Sequence, residues 1–330
     1  MLYYYTSQVP KILFRCDCSE LIGTGHVTRS VALAETFLNA GWQVDFYGIL
    51  NKPEWLKIFL ESYRDINIIP FGSNEINKSM YEVICFDHYT ITIEEVTSLS
   101  NLGKFIIWLV DDKSPEFMAD LYVSTLPSSY LSDFYKGKRN LFGLEYALIR
   151  ESIRSIVENV YDNTRSAIDK KSVAILTGGT ENVPLVNMFI NQLNSINSDL
   201  SYLTNSKDFV FQNQSGLETI INLPKSANFF SKLMQCDYVI SPSSVTSWEV
   251  VYARIPLAVY GLLENHTATY KFLTESGIAS GLGFHTNPAA FMVKEKELSD
   301  FIYKDNTRFN KMRIDGLGSE RVFKYLIQNI

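Results

Sequence analysis

Apolar residues along the first half of the chain fall in short runs separated by stretches with helical spacing. Residues 11–16 (K-I-L-F-R-C) read as a buried strand, since a short apolar run bounded by turn residues fits a strand covered on both faces. A glycine-containing loop follows, and residues 26–39 read as a helix stopped at Ala40-Gly41. Residues 43–47, 66–69, 83–86 and 105–110 are further strand candidates. Such alternation predicts a parallel sheet with helices on both faces. A polar stretch at 160–171 (V-Y-D-N-T-R-S-A-I-D-K-K) interrupts the pattern and reads as part of an interdomain connection. The alternation restarts at residues 172–176 (S-V-A-I-L), turns at Thr177-Gly178-Gly179-Thr180, and continues through strands near 220–223, 238–241 and 257–259. The expectation is an α/β chain of two similar Rossmann-like domains, with no short-period repeat.

Composition narrows the function classes. A chain of 330 residues, 46% of them hydrophobic, supplies two ordinary cores. The formal net charge is −6 with both signs mixed and no basic block, which argues against nucleic acid as a partner. An acidic protein still binds an anionic nucleotide through backbone N–H groups and helix N-termini. Cys16 and Cys18 are too close for ordinary zinc spacing, and no paired Cys or His cluster accompanies them, so no metal is expected. The first ten residues lack the basic start and apolar core of a signal peptide, and no apolar run approaches membrane-spanning length. A cytoplasmic location without stable membrane insertion is the expectation.

Four segments carry candidate chemistry. Ile22-Gly23-Thr24-Gly25-His26 follows the first strand and opens the first helix. Glycines there permit a tight turn and close approach, and the helix start favours negative charge. The dinucleotide fingerprint is absent, because its third glycine would fall at Thr28. His26 reads equally as a helix-end polar residue or as a base that takes a proton from water. Gly178-Gly179-Thr180 occupies the equivalent place in the second half. Ser241-Pro242-Ser243-Ser244-Val245-Thr246-Ser247-Trp248-Glu249 puts hydroxyls at a helix start with a carboxylate one turn in. It suits a diphosphate and a ribose, although Thr246 and Glu249 also have the spacing of a capping box. Leu263-Glu264-Asn265-His266 lies at a strand's carboxyl end, with His266 read as a helix cap. Asp87-His88-Tyr89 also lies beyond a strand end, and adjacent extended residues point opposite ways, so at most one of Asp87 and His88 faces a ligand.

Together these segments resemble the UDP-sugar hydrolases of pseudaminic acid synthesis and, more widely, spore-coat polysaccharide glycosyltransferase-like proteins and the peptidoglycan N-acetylglucosaminyltransferase. The signature resembles Arg15-x-Asp17-x-Ser19-x-x-Ile22-Gly23-x-Gly25-His26-x-x-Arg29. Phe86-Asp87-His88-Tyr89, Tyr146-Ala147-Leu148-Ile149-Arg150, Gly178-Gly179-Thr180, Ser243-Ser244 with Glu249, and Asp315-Gly316-x-Gly318-Ser319-Glu320-Arg321-Val322 are similar to further family segments. The resemblance implies a GT-B fold. Residues 1–158 would form the sugar-side domain, 167–315 the nucleotide-side domain, and 316–330 a helix crossing back to the first. It implies His26 as general base, Ser243, Ser244 and Val245 on the diphosphate with Gly178, Gly179 and Thr180, and Glu249 on the ribose. It places Arg15, Asp17, Gly23, Gly25, Arg29, Asp87, His88, Tyr89, Tyr146 and Asn265 around the substrate, with no metal and no cofactor. Glu181-Asn182 after Gly-Gly-Thr, the two cysteines, and Asn265-His266 in place of Asn-Gln depart from the family pattern.

The implied reaction is hydrolysis of a UDP-linked diacetamido-trideoxyhexose in nonulosonic (pseudaminic-type) acid synthesis. The alternative is an inverting glycosyltransferase using the same donor for surface polysaccharide or glycoprotein. Residues 55–60 (W-L-K-I-F-L) read as helix core or as the membrane-facing patch of such a transferase. A hydrolysing 2-epimerase and an inactive nucleotide-sugar sensor are the remaining readings.

Overall fold

The structure is a computed structural model that describes residues 9–19, 23–50, 57, 60–78, 80–111, 114–161, 171–178, 182–197, 199–205, 220–222, 227–286, 291–303 and 314–330. The first sheet runs β1 (Lys11–Cys16), β2 (Gln43–Gly48), β3 (Ile66–Pro70), β4 (Tyr81–Asp87), β5 (Gly103–Leu109), β6 (Leu121–Ser124) and β7 (Asn140–Phe142), in the spatial order 3-2-1-4-5-6-7. The second sheet contains β8 (Ser172–Ile175), β9 (Ser201–Thr204), β10 (Ile220–Asn222), β11 (Tyr238–Pro242), β12 (Leu257–Gly261) and β13 (Ser280–Phe284), in the order 10-9-8-11-12-13. Every pairing among these strands is parallel. Renumbered from its first strand, the second sheet repeats the 3-2-1-4-5-6 order of the first. Each domain therefore has a topological switch point beside its first strand, the crevice where open α/β sheets hold ligands.

The period of two along each central strand explains the two covered faces. Ile12, Phe14 and Cys16 of β1, Val83 and Cys85 of β4, and Phe105, Ile107 and Leu109 of β5 enter one core. Leu13, Ile84, Phe86, Ile106 and Trp108 enter the core on the opposite face. That second core continues into the other domain through Ala174, Val239, Leu257 and Val259. Tyr130 of the first domain meets Phe272 of the second edge to face, with ring centroids 5.1 Å apart.

The helices are α1 (Gly25–Asn39), α2 (Ile93–Ser100), α3 (Glu151–Tyr161), α4 (Val183–Ile196), α5 (Ala227–Leu233), α6 (Val245–Tyr252), α7 (Thr267–Glu275), α8 (Glu295–Tyr303) and α9 (Gly318–Ile327). At the end of α1, Gly41 has φ +80°, a left-handed value that glycine adopts without strain. Helix α9 crosses back to the first domain. Val322 and Leu326 are buried in the first-domain core, Phe323 packs against Phe37 at 5.0 Å, and the Ser319 hydroxyl donates to the Ala32 carbonyl at 2.9 Å. Gly318 is required there, because a Cβ would stand 2.2 Å from the Ala147 carbonyl oxygen.

The strands expected at 43–47, 66–69, 83–86 and 105–110 are present with ends shifted by one or two residues. Strands β6, β7, β9 and β13 lie in stretches where no strand was expected. Three of these have only three or four residues, and β13 carries Gly281 and Gly283 in five. Residues 55, 56, 58 and 59 of the W-L-K-I-F-L segment and most of the 160–171 connection lie outside the described residues, as does Leu223.

Candidate active site

On the first-domain wall, Cys16 at the end of β1 stands opposite Asp87 at the end of β4, and His26 lies in the first turn of α1. The three converge on the switch point. The Asp87 carboxylate is fully buried and accepts from His26 Nδ1, from Arg29 Nε at 2.6 Å and from Arg29 Nη2 at 2.5 Å. Burial alone pushes this carboxyl up, but the Arg29 charge and the hydrogen bonds from Arg29 and His26 hold it at about 2. The bond to Asp87 fixes the neutral imidazole with its proton on Nδ1, leaving Nε2 with a lone pair. Among the described residues Nε2 has no hydrogen-bond partner.

Arg29 extends the cluster. Its Nη1 lies 3.3 Å from Asp111 Oδ2, and the Tyr89 hydroxyl donates to the same oxygen at 2.7 Å. The Tyr89 ring packs edge-on against the His26 ring, with centroids 4.3 Å apart. Burial and the Asp111 charge push the Tyr89 hydroxyl well above the ordinary tyrosine value, so Tyr89 acts as a donor. Asp111 was not singled out from the sequence. Its signal was an aspartate directly after a predicted strand, at the same carboxyl edge as Asp87.

His88 turns away from Asp87, as the extended backbone requires. Its Nε2 donates to Asp17 Oδ2 at 2.6 Å, and its Nδ1 accepts from the Thr90 backbone N–H at 2.9 Å. Asp17 also accepts from Arg15 Nη1 at 2.5 Å and from the Ile49 N–H at 2.8 Å. Burial raises its carboxyl, while the His88 hydrogen bond and the Arg15 charge outweigh that and hold it at about 2. Arg15 is 2% exposed, and its Nε donates to Glu95 at 2.5 Å. Arg15, Asp17 and His88, expected around the substrate, are drawn together on the first-domain wall. These polar atoms meet one another and form a brace that ties β1 to β4 and α2.

Gly23 has φ +80°, and its N–H closes a turn onto the Ser19 carbonyl at 2.8 Å. Gly25 provides the close approach between domains, because a Cβ on it would stand 3.3 Å from Val245 Cγ2. The starts of α1 and α6, one from each domain, therefore face each other. Ile22 lies outside the described residues.

The second-domain wall is built differently. Gly178 has φ +75°, and a Cβ there would stand 3.1 Å from the Pro242 ring. Asn205 accepts from the Thr177 N–H at 2.8 Å and donates to the Gly178 carbonyl at 3.1 Å, fixing the loop. Gly179 and Thr180 lie outside the described residues. The buried Ser243 hydroxyl, expected at the diphosphate, is 3.3 Å from the Tyr260 carbonyl and 3.2 Å from that of His266. The Val245 and Thr246 N–H groups have no partner among the described residues and lie at the positive end of the helix. The Ser247 hydroxyl donates to the Pro242 carbonyl at 2.7 Å and accepts from the Ser244 N–H at 3.4 Å. Ser247, not Glu249, therefore does the local closing that the Thr246–Glu249 spacing suggested.

Glu249 is 3% exposed, and its Oε1 accepts from Arg150 Nε and Nη2, each at 2.7 Å. Arg150 comes from the segment leading into α3, and its role was missed because the pairing spans the two domains. His266 sits at the N-cap position of α7, but its side chain makes no cap bond, contrary to expectation. Its Nδ1 instead lies 3.4 Å from the Leu262 N–H, and burial pushes the ring down to about 4. Asn265 is half-buried in the same turn, with no hydrogen-bond partner among the described residues. Tyr146, expected near the substrate, packs against the first-domain core beside Gly318, at the clasp made by α9.

No family model matches the chain. A curated relative, the UDP-2,4-diacetamido-2,4,6-trideoxy-beta-L-altropyranose hydrolase of Campylobacter jejuni, is 25% identical over 179 residues. The match takes in 52% of this chain and 61% of that protein, under two thirds of the relative's length. Among solved structures, the kitacinnamycin glycosyltransferase superposes with a TM-score of 0.66 at 12% identity, covering 97% of this chain and 99% of its own. The UDP co-structure of Staphylococcus aureus MnaA gives 0.60 at 14% identity, covering 98% of each. The chain therefore has the GT-B architecture. No helix among the described residues is long and apolar enough to cross a membrane.

Proposed function

We propose that the chain is a nucleotide-sugar enzyme that hydrolyses a UDP-linked diacetamido-trideoxyhexose to UDP and the free sugar, as a step toward a nonulosonic acid. The observation that carries this reading is the His26–Asp87 pair, with Nε2 left over, beside the start of α6. The curated hydrolase supports the sugar class, and the GT-B architecture supports a ligand bound between the domains.

In this reading the diphosphate lies at the α6 start, held by the Val245 and Thr246 N–H groups, Ser244, and the Gly178-Gly179-Thr180 turn. Glu249, steadied by Arg150, takes the ribose hydroxyls, and Asn265 lies nearby. A water between His26 Nε2 and the anomeric carbon gives its proton to Nε2 as its oxygen bonds to that carbon. The bond from the anomeric carbon to the diphosphate oxygen breaks, and UDP leaves with the electron pair. The positive helix end favours the departing anion without a metal or cofactor. Asp87 keeps the base in its tautomer and balances the imidazolium as it forms.

The test measures UDP released from a panel of UDP-sugars, with and without sugar acceptors and with EDTA. Release from the diacetamido-trideoxyhexose donor without an acceptor, undiminished by EDTA, is expected. Release only when an acceptor is added overturns hydrolysis in favour of glycosyl transfer, where the same base would act on an acceptor hydroxyl.

A further inference from the structure

The first-domain cluster sets two carboxylates, Asp87 and Asp111, around Arg29 and His26. Arg29 gives two N–H groups to Asp87 and one to Asp111, so one guanidinium serves two carboxylates. Resting on the reading of His26 as base, we propose that Asp111 is a positioning residue. Its charge strengthens that base, and its bond to Tyr89 sets the tilt of the His26 ring.

Three observations meet at this residue. Asp111 lies at the carboxyl end of β5, one strand beyond Asp87 in the sheet order. Its Oδ2 accepts both Arg29 and Tyr89, and the Tyr89 ring stands edge-on to His26 at 4.3 Å. Its backbone N–H donates to the Ser114 hydroxyl at 2.9 Å, which fixes where the carboxylate points. The charge has a task because two helix starts oppose protonation of His26: that of α1, which carries it, and that of α6 at Val245. Asp87 bonds the ring and Tyr89 packs against it, Arg29 and Asp111 bond those two in turn, and Cys16 and Cys85 lie near Asp87 and His266 near Asp111. Only the carboxylates favour the imidazolium.

The test is Asp111→Asn beside Asp111→Glu, with the His26 ring titration followed by NMR and turnover followed against pH. Asp111→Asn is expected to lower the His26 midpoint by about one pH unit, the effect of one nearby charge. The low-pH limb of kcat/KM should move down equally, the plateau should fall roughly ten-fold, and UDP affinity should hold. Asp111→Glu should restore most of each. An unchanged His26 midpoint in folded Asp111→Asn overturns the inference, even in a protein that hydrolyses its donor. A shifted midpoint in a protein that hydrolyses nothing sustains the charge coupling and overturns the hydrolase reading instead.

Discussion

The two walls of the cleft share a topology and differ in what stands at the strand ends. At the first-domain switch point the groups are ionisable: His26, Arg29, Asp87 and Asp111, with the Arg15–Asp17–His88–Glu95 brace beside them. At the equivalent place in the second domain they are backbone N–H groups, glycine and small hydroxyls, with Glu249 the charged side chain one turn away. A proton is handled by side chains whose charge can change, whereas a diphosphate is held by fixed dipoles that cannot lose theirs. In the proposed function the same strand order supports two kinds of chemistry, divided between domains.

The largest effect should come from His26→Ala, which is expected to lower turnover by about two to four orders of magnitude, the usual worth of a general base. UDP affinity should hold, because the residue belongs to the other wall. Steady-state kinetics beside calorimetry reads both. A tenth or more of wild-type turnover would move the base elsewhere and dissolve the division.

Glu249→Ala should do the reverse on a smaller scale. Its UDP binding should weaken by about 0.5–3 kcal/mol through lost ribose hydrogen bonds, with part of the loss reflecting an Arg150 left without its carboxylate. Wild-type affinity by calorimetry would take Glu249 out of the nucleotide site.

The smallest effect is on acid stability. Asp17 and Asp87 are held at about 2 in the folded chain, below the ordinary carboxylate value near 4. A carboxyl depressed on folding contributes stability that is complete above its unfolded value and lost as pH falls through the folded one. Unfolding should therefore set in between about pH 4 and pH 2, and Asp17→Asn should flatten that dependence. An unaltered acid profile in Asp17→Asn would deny the brace its role.

Much of the fold was legible because central strands buried on both faces leave unbroken apolar runs, as in K-I-L-F-R-C. Short edge strands such as Asn140–Phe142 lack that signal, and Ser280–Phe284 hides it behind two glycines. His26 and the glycine turns were legible as the start of a helix after a strand. Which polar residues pair with one another was not, since that depends on partners far along the chain. Arg15 meets Glu95 80 residues on, His88 reaches back 71 to Asp17, and Arg150 finds Glu249 across the domains at a separation of 99. Spacing within one motif carries no trace of those pairings, so the brace went unforeseen and Arg150 unassigned.

The central claim is that water, prepared by the first-domain wall, attacks the anomeric carbon while the second-domain wall keeps the diphosphate whole. Turnover of the UDP-linked diacetamido-trideoxyhexose in oxygen-18 water, without acceptor and with prompt mass analysis, tests it most directly. The label should appear in the free sugar and be absent from UDP. Label in the UDP phosphate would place the attack on phosphorus and contradict the account.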